Sequence, residues 1–218
     1  MTKMFGPPGW SAQQITTRFV TASPRSYDAE TRSVDCIVST GAPVLRHYGT
    51  EILRIAKSAI NIDRVTSGIC PLLDSHQTAT IADSLGRVTE AWVERRALMA
   101  RLSFNQTTDG DAALGMVARG ELTGVSAGYR VSEWSVADQD GRIVDPETYL
   151  WDDSLVFTGV KWELLEVSIV SVPADSSAAG FRNFENLVLG DRELENCRAR
   201  MQARQNMTDR MSWLADHS

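Results

Sequence analysis

Short runs of β-branched and aromatic residues, parted by turn-forming residues, set the pattern of this chain. Ile15–Val20 and Ser33–Thr40 partly alternate apolar and polar positions, as strands with one buried face do. Ser23-Pro24 and Tyr27-Asp28 between them read as turn material. Leu85–Val93 and Ala97–Phe104, rich in Val, Trp, Leu and Phe and separated by Glu94-Arg95-Arg96, predict a β-hairpin. Thr123–Val131, Leu155–Val160 and Trp162–Val172 predict three further strands, the last closed by Pro173. Pro71–His76 is a short apolar run ending in polar residues, and Ile52–Ile60 reads as a strand followed by a short helix. Helical patterning is sparse. Asp109 can cap a helix over Asp111–Arg119 that stops at Gly120. Ser176–Phe181 reads as a short helix, and residues 190–214 as a weakly amphipathic helix or detachable tail. Asp138–Asp153 reads as an exposed loop. Gly6-Pro7-Pro8-Gly9 blocks regular structure near the N-terminus. The pattern therefore predicts a flexible arm at 1–14, one mainly β (α+β) domain at 15–186, and a helical tail at 187–218. Many strands with few helices between them favour an antiparallel barrel or sandwich with helices outside.

Composition narrows the function classes. The 218 residues are 43% hydrophobic and 23% charged, enough apolar material for a core without disulfides. A net charge of −6 gives no basic field for nucleic acid or anionic lipid, so neither is expected as a partner. Cys36, Cys70 and Cys197 are far apart and form no C-x-x-C pair, which predicts neither a metal site nor a disulfide framework. No cofactor-binding motif is present, and none is expected to be needed. The N-terminus lacks the apolar region of a signal peptide, and no stretch reaches the length of a membrane span. The chain reads as soluble and intracellular.

Three histidines limit any mechanism that needs a base near neutral pH: His47, His76 and His217. His76 ends an apolar run, where a ring can be held firmly yet reach a cleft. His47 lies in a segment without a clear pattern, and His217 is next to the last residue. Gly124-Val125-Ser126-Ala127-Gly128 matches G-x-S-x-G. In an α/β-hydrolase that motif turns from strand into helix and precedes its histidine. Here Tyr129–Trp134 alternates like a strand, and only terminal His217 follows, so the elbow reading fails. Ser126 remains a candidate nucleophile on a strand, with Val125 and Ala127 directed to the opposite face. Strand parity places Leu165, Val167 and Ile169 on one face and Glu166 with Ser168 on the other. A carboxylate within so apolar a strand is costly to bury unpaired, and an imidazole would satisfy it. Asp74 is also near His76 in sequence, but can cap the local backbone instead.

Four segments in order give these candidates a common context. They are Leu72-Leu73-Asp74-Ser75-His76, Leu85-Gly86-Arg87-Val88, Gly120 through Tyr129, and Glu163 through Ala174. Together they resemble the prohead (capsid-maturation) serine proteases of tailed bacteriophages, over about residues 20–185. The resemblance implies a closed antiparallel β-barrel with surrounding helices, related to herpesvirus assemblin. It also implies an endopeptidase that cuts the scaffold protein or scaffold domain of the capsid precursor, and itself, inside the procapsid in the host cytoplasm. The family's serine falls on Ser126, its histidine on His76 and its acid on Glu166, with Glu163 as fallback. The herpesvirus relatives imply a homodimer. Two rivals stand beside this reading: a catalytically inactive scaffold or capsid-interaction module, and a serine esterase of unrelated fold, which the chain order disfavours.

Overall fold

The structure, a computed structural model, describes residues 6, 7, 9–21, 26–145 and 154–171. The expected helices at 176–181 and 190–214 and the tail at 187–218 lie outside the described residues, as does His217. Eleven strands are present among the described residues: β1 (Thr16–Thr21), β2 (Ser26–Asp28), β3 (Ser33–Ser39), β4 (Val44–Arg46), β5 (Gly49–Leu53), β6 (Ile60–Asn61), β7 (Pro71–Asp74), β8 (Ser84–Glu94), β9 (Ala97–Phe104), β10 (Gly124–Ala137) and β11 (Val156–Val170). Two α-helices join them, α1 (Asp63–Thr66) and α2 (Thr108–Ala118).

The sheet is organised around β11. Along one edge it pairs with β10 in antiparallel register from Val170 to Val156. Along the other it takes β5, β6 and β7, all parallel to it. The main path runs β1-β10-β11-β7-β8-β9-β3-β2. Two expectations change here. The sheet is mixed rather than antiparallel, and it is open rather than closed into a barrel. β1 and β3 approach each other without forming a ladder, and the three-residue β2 pairs with β3, so no described strand carries the hydrogen bonding back to β1. Leu155–Val160 and Trp162–Val172, expected as two strands, are one continuous element. Residues 52–60 hold the end of β5 and a loop, and the helix comes later, as α1.

A main core covers most of the sheet, with two smaller clusters beside it, Ile37 with Ala97 and Met99, and Val136 with Leu155 and Phe157. Val34, Cys36 and Val38 of β3, Ala100 and Leu102 of β9, Val125, Ala127 and Tyr129 of β10, and Leu164, Val167 and Ile169 of β11 pack in the main core. Val65 of α1 and Ala113, Leu114 and Val117 of α2 also join it. The cap of α2 is Thr107, whose hydroxyl accepts the Gly110 N–H at 3.1 Å, not the expected Asp109. Asp109 sits in the first turn instead, where its charge suits the helix dipole. Gly120 follows the helix at φ +73°, a conformation that favours glycine. The β8–β9 link is tighter than expected. Glu94 belongs to β8, and Arg95 and Arg96 alone turn the chain, both left-handed at φ 46° and 65°. Buried Cys36 and Cys70 are unoxidised, and burial pushes both thiols up to about 12.

A buried ionic cluster ties β1 to β5 and β10. Glu51 is wholly buried and Arg18 nearly so. The Glu51 carboxylate accepts from Arg18 Nη2 at 3.1 Å, Arg46 Nη2 at 3.3 Å, Tyr48 OH at 2.5 Å and the Tyr129 hydroxyl. Burial alone would raise this carboxyl, but the Arg18 and Arg46 guanidinium groups outweigh it, and the two tyrosines add hydrogen bonds. The group is held below its ordinary value. A carboxyl depressed on folding contributes stability that is whole above its unfolded value near 4.5. That contribution is lost as pH falls through the lower folded value. Glu51→Ala leaves two guanidinium groups without their counter-ion, one of them buried, and is expected to cost about 3–5 kcal/mol in urea unfolding at pH 7. The difference from the parent protein should shrink in acid. A loss that stays constant down to pH 2 would contradict the ionic account.

Candidate active site

On β10, alternate residues Val125, Ala127, Tyr129 and Val131 enter the core, so Ser126 and Gly128 lie on the other face. Ser126 is paired with Phe19 of β1 on one side and Ser168 of β11 on the other. On β11, simple parity would send Glu163 and Glu166 to opposite faces. A register shift prevents this. Gly128 pairs with Glu166 and the next residue, Tyr129, pairs with Leu164, so Leu165 is an extra residue, a bulge. Leu164 and Val167 both belong to the core cluster, while Leu165 is buried outside it, contrary to the alternation read from the sequence. The bulge brings Glu163 and Glu166 to the same face as Ser126.

His76 arrives from the parallel neighbour. β7 pairs through Leu72↔Val167, Leu73↔Ser168 and Asp74↔Ile169, and then the chain turns sharply. Ser75 and His76 are both left-handed, at φ 50° and 62°. Three hydrogen bonds fix the turn: Ser75 N–H to the Ile169 carbonyl at 3.0 Å, His76 N–H to Ser168 Oγ at 3.0 Å, and Gln77 N–H to the Asp74 carbonyl at 2.8 Å. The Asp74 carboxylate accepts from the Ser75 hydroxyl at 2.8 Å and so serves the turn.

The turn sets the imidazole between two strands. Nδ1 lies 2.6 Å from Glu166 Oε1, and Nε2 lies 2.7 Å from Ser126 Oγ. With the carboxylate accepting Nδ1–H, the Nε2 lone pair is left facing the serine hydroxyl. Ser126 Oγ also lies 3.1 Å from the Arg18 carbonyl. The hydroxyl has one proton and two acceptors: it serves Nε2 when the ring is neutral, and the carbonyl when the ring is cationic. Ser126 is fully buried, whereas the His76 and Glu166 side chains keep 22% and 12% of their exposure. Glu166 Oε2 accepts from the Ser168 hydroxyl at 2.8 Å.

The fallback acid is engaged elsewhere. Glu163 Oε1 accepts from Arg64 Nε at 3.0 Å and Oε2 from Arg130 Nη2 at 2.5 Å. His47 is exposed in the β4–β5 turn, edge-on to Tyr48. Among the described residues no cluster of His, Cys, Asp and Glu could hold a metal ion, and no helix is long and apolar enough to cross a membrane.

Sequence reasoning missed the part played by Gly128. A Cβ there would stand 2.2 Å from Glu166 Oε1 and 2.8 Å from its Cδ. The glycine makes room for the carboxylate. Gly128→Ala is expected to push Glu166 off the imidazole, and a displacement near 1 Å can cost about 10²-fold in any reaction that runs through that contact. The rate of covalent labelling of Ser126 by a fluorophosphonate will measure it. An unchanged rate would mean that the carboxylate position is unimportant.

A family model described as caudovirus prohead serine protease matches residues 45–187, more than half of the chain. The chain is similar to the major capsid protein of Halomonas phage phiHAP-1, with 31% identity over 134 residues, covering 61% of this chain and 20% of that protein. It thus spans about a fifth of the length of that relative. Among solved structures it is similar to the bacteriophage T4 capsid assembly protease gp21, at 14% identity and a TM-score of 0.43, covering 73% of this chain and 98% of that one.

Proposed function

Because the chain belongs to the caudovirus prohead serine protease family, we propose that it is a serine endopeptidase of capsid maturation that works through Ser126, His76 and Glu166. One observation carries the residue assignment: an unbroken path of 2.7 and 2.6 Å contacts from the Ser126 hydroxyl through the imidazole to the Glu166 carboxylate.

The chemistry is acyl transfer. Nε2 of His76 takes the Ser126 proton as Oγ attacks the scissile carbonyl, and a tetrahedral oxyanion forms. The same nitrogen returns the proton to the leaving amine, the C–N bond breaks, and an acyl-enzyme remains. His76 then removes a proton from water as it attacks the ester, and returns that proton to Ser126 Oγ as the acyl C–O bond breaks and the carboxylic product leaves. Glu166 fixes the ring and stabilises its cationic form without taking the proton.

The substrate we propose is the scaffold protein or scaffold domain of the capsid precursor, and the chain itself, cut within the procapsid. The similarity to one segment of a protein named a major capsid protein supports a place beside capsid subunits. A homodimer belongs to the same proposal, as does a relation to assemblin that stops short of its closed barrel.

The complete burial of Ser126 favours a second reading, an inactive module that only binds scaffold or capsid. A fluorophosphonate probe separates the two. The protease reading expects one covalent adduct, located by peptide mass spectrometry on Ser126. Absence of that adduct after prolonged exposure would favour the module.

A further inference from the structure

We propose that Ser168 is a positioning residue for the His76–Glu166 pair, an inference that rests on the residue assignment above. Its side chain is fully buried. Its oxygen accepts the His76 N–H at 3.0 Å, and its hydroxyl donates to Glu166 Oε2 at 2.8 Å. One atom therefore holds the backbone that carries the imidazole and the carboxylate that orients it.

The proton count leaves little freedom. Ser168 has one hydroxyl proton, and the His76 amide needs an acceptor, so the serine proton goes to Glu166. Glu166 Oε1 is taken by Nδ1 of the ring. Both carboxylate oxygens are then held, and the group cannot rotate away from the imidazole. The His76 amide belongs to a turn with two consecutive left-handed residues, a conformation that non-glycine residues adopt only under constraint. Ser168 supplies part of that constraint. It is also the ladder partner of Ser126, so the β10–β11 pairing sets the nucleophile and the positioning hydroxyl in one frame. Partners that orient metal-ligating histidines and carboxylates from behind commonly matter about 10–100-fold, and a similar factor is expected for this histidine–carboxylate pair.

The test is the second-order rate of fluorophosphonate labelling at Ser126, measured on the full chain. Ser168→Ala is expected to slow labelling about 10–100-fold. In a Glu166→Ala background the same change should slow it clearly less than in the parent, because one of its two partners, the carboxylate, is gone and only the His76 amide remains to be lost. Ser39→Ala is the control. That serine is also fully buried and accepts the Gly41 N–H at 3.2 Å, and its loss should leave the rate within about twofold. If Ser168→Ala does not fold, Ser168→Thr against Ser168→Val compares a hydroxyl with a methyl at equal shape, and the threonine protein should react faster. An unchanged rate in Ser168→Ala, equal slowing in both backgrounds, or equal rates for Thr and Val would each overturn the proposal. If Glu166→Ala alone leaves labelling untouched, the acid assignment itself fails and takes this inference with it.

Discussion

Ser126→Ala is expected to leave the protein folded and to lower its peptide-cleaving rate by about 10⁶-fold, the scale found for nucleophilic serines of other triads. The substitution removes a single oxygen. That oxygen contacts His76 Nε2 and the Arg18 carbonyl, and neither partner depends on it for solvation alone. The carbonyl sits within the β1–β10 ladder, where Arg18 pairs with Ala127, and the imidazole keeps its bond to Glu166. The thermal midpoint should therefore move little while the chemistry disappears. Co-expression with the capsid precursor, read by gel and by intact mass, measures the loss. Processing at the parental rate would remove Ser126 from the mechanism.

Glu166→Gln should cost about 10⁴-fold at nearly constant shape, as replacing a triad carboxylate by its amide does elsewhere. The hydrogen-bonding partners explain why an isosteric change would be so severe. The Ser168 hydroxyl donates to one oxygen of the group at 2.8 Å, so the amide turns its oxygen that way. Its NH₂ then faces Nδ1 of His76. The ring accepts at Nδ1, carries its proton on Nε2, and presents a donor to the serine where a base is needed. Peptide-cleavage kinetics would show a fall in kcat with KM little changed. A fall of less than tenfold would assign Glu166 a structural role only.

The hairpin was legible because its residues state one preference at every level. Leu85–Val93 and Ala97–Phe104 are β-formers, they alternate, and a short charged link joins them. The serine, histidine and acid could be named from residue type and from the resemblance, and the coordinates bring those side chains within hydrogen-bonding distance. What stayed hidden depends on pairing between distant segments. The Leu165 bulge exists only because β10 and β11 meet in a shifted register, so parity along one strand misassigned that leucine. The parallel docking of β5, β6 and β7 on β11 leaves no local trace either, since nothing in Pro71–Asp74 says which strand it will join. Thr107 and Asp109 are both competent caps, and only the observed bond from the Gly110 N–H to the Thr107 hydroxyl tells them apart. Glu51 offered a clue that went unread. It is a carboxylate amid Gly-Thr and Ile-Leu in a short strand, and two of its four partners come from 33 residues upstream and 78 downstream.

The topology also bears on when such an enzyme can first act. Arg18, His76, Ser126 and Glu166 meet only once β1 has joined β10 and β7 has joined β11, strands that lie about a hundred positions apart along the polymer. A polypeptide not yet past residue 169 lacks the full β7–β11 ladder, although it already holds both strands of the β1–β10 pair from residue 129 onward. Long-range pairings of this kind form slowly and late. On the proposed assignment, the reacting side chains therefore come together only after β11, the last described strand of the domain, has been synthesised.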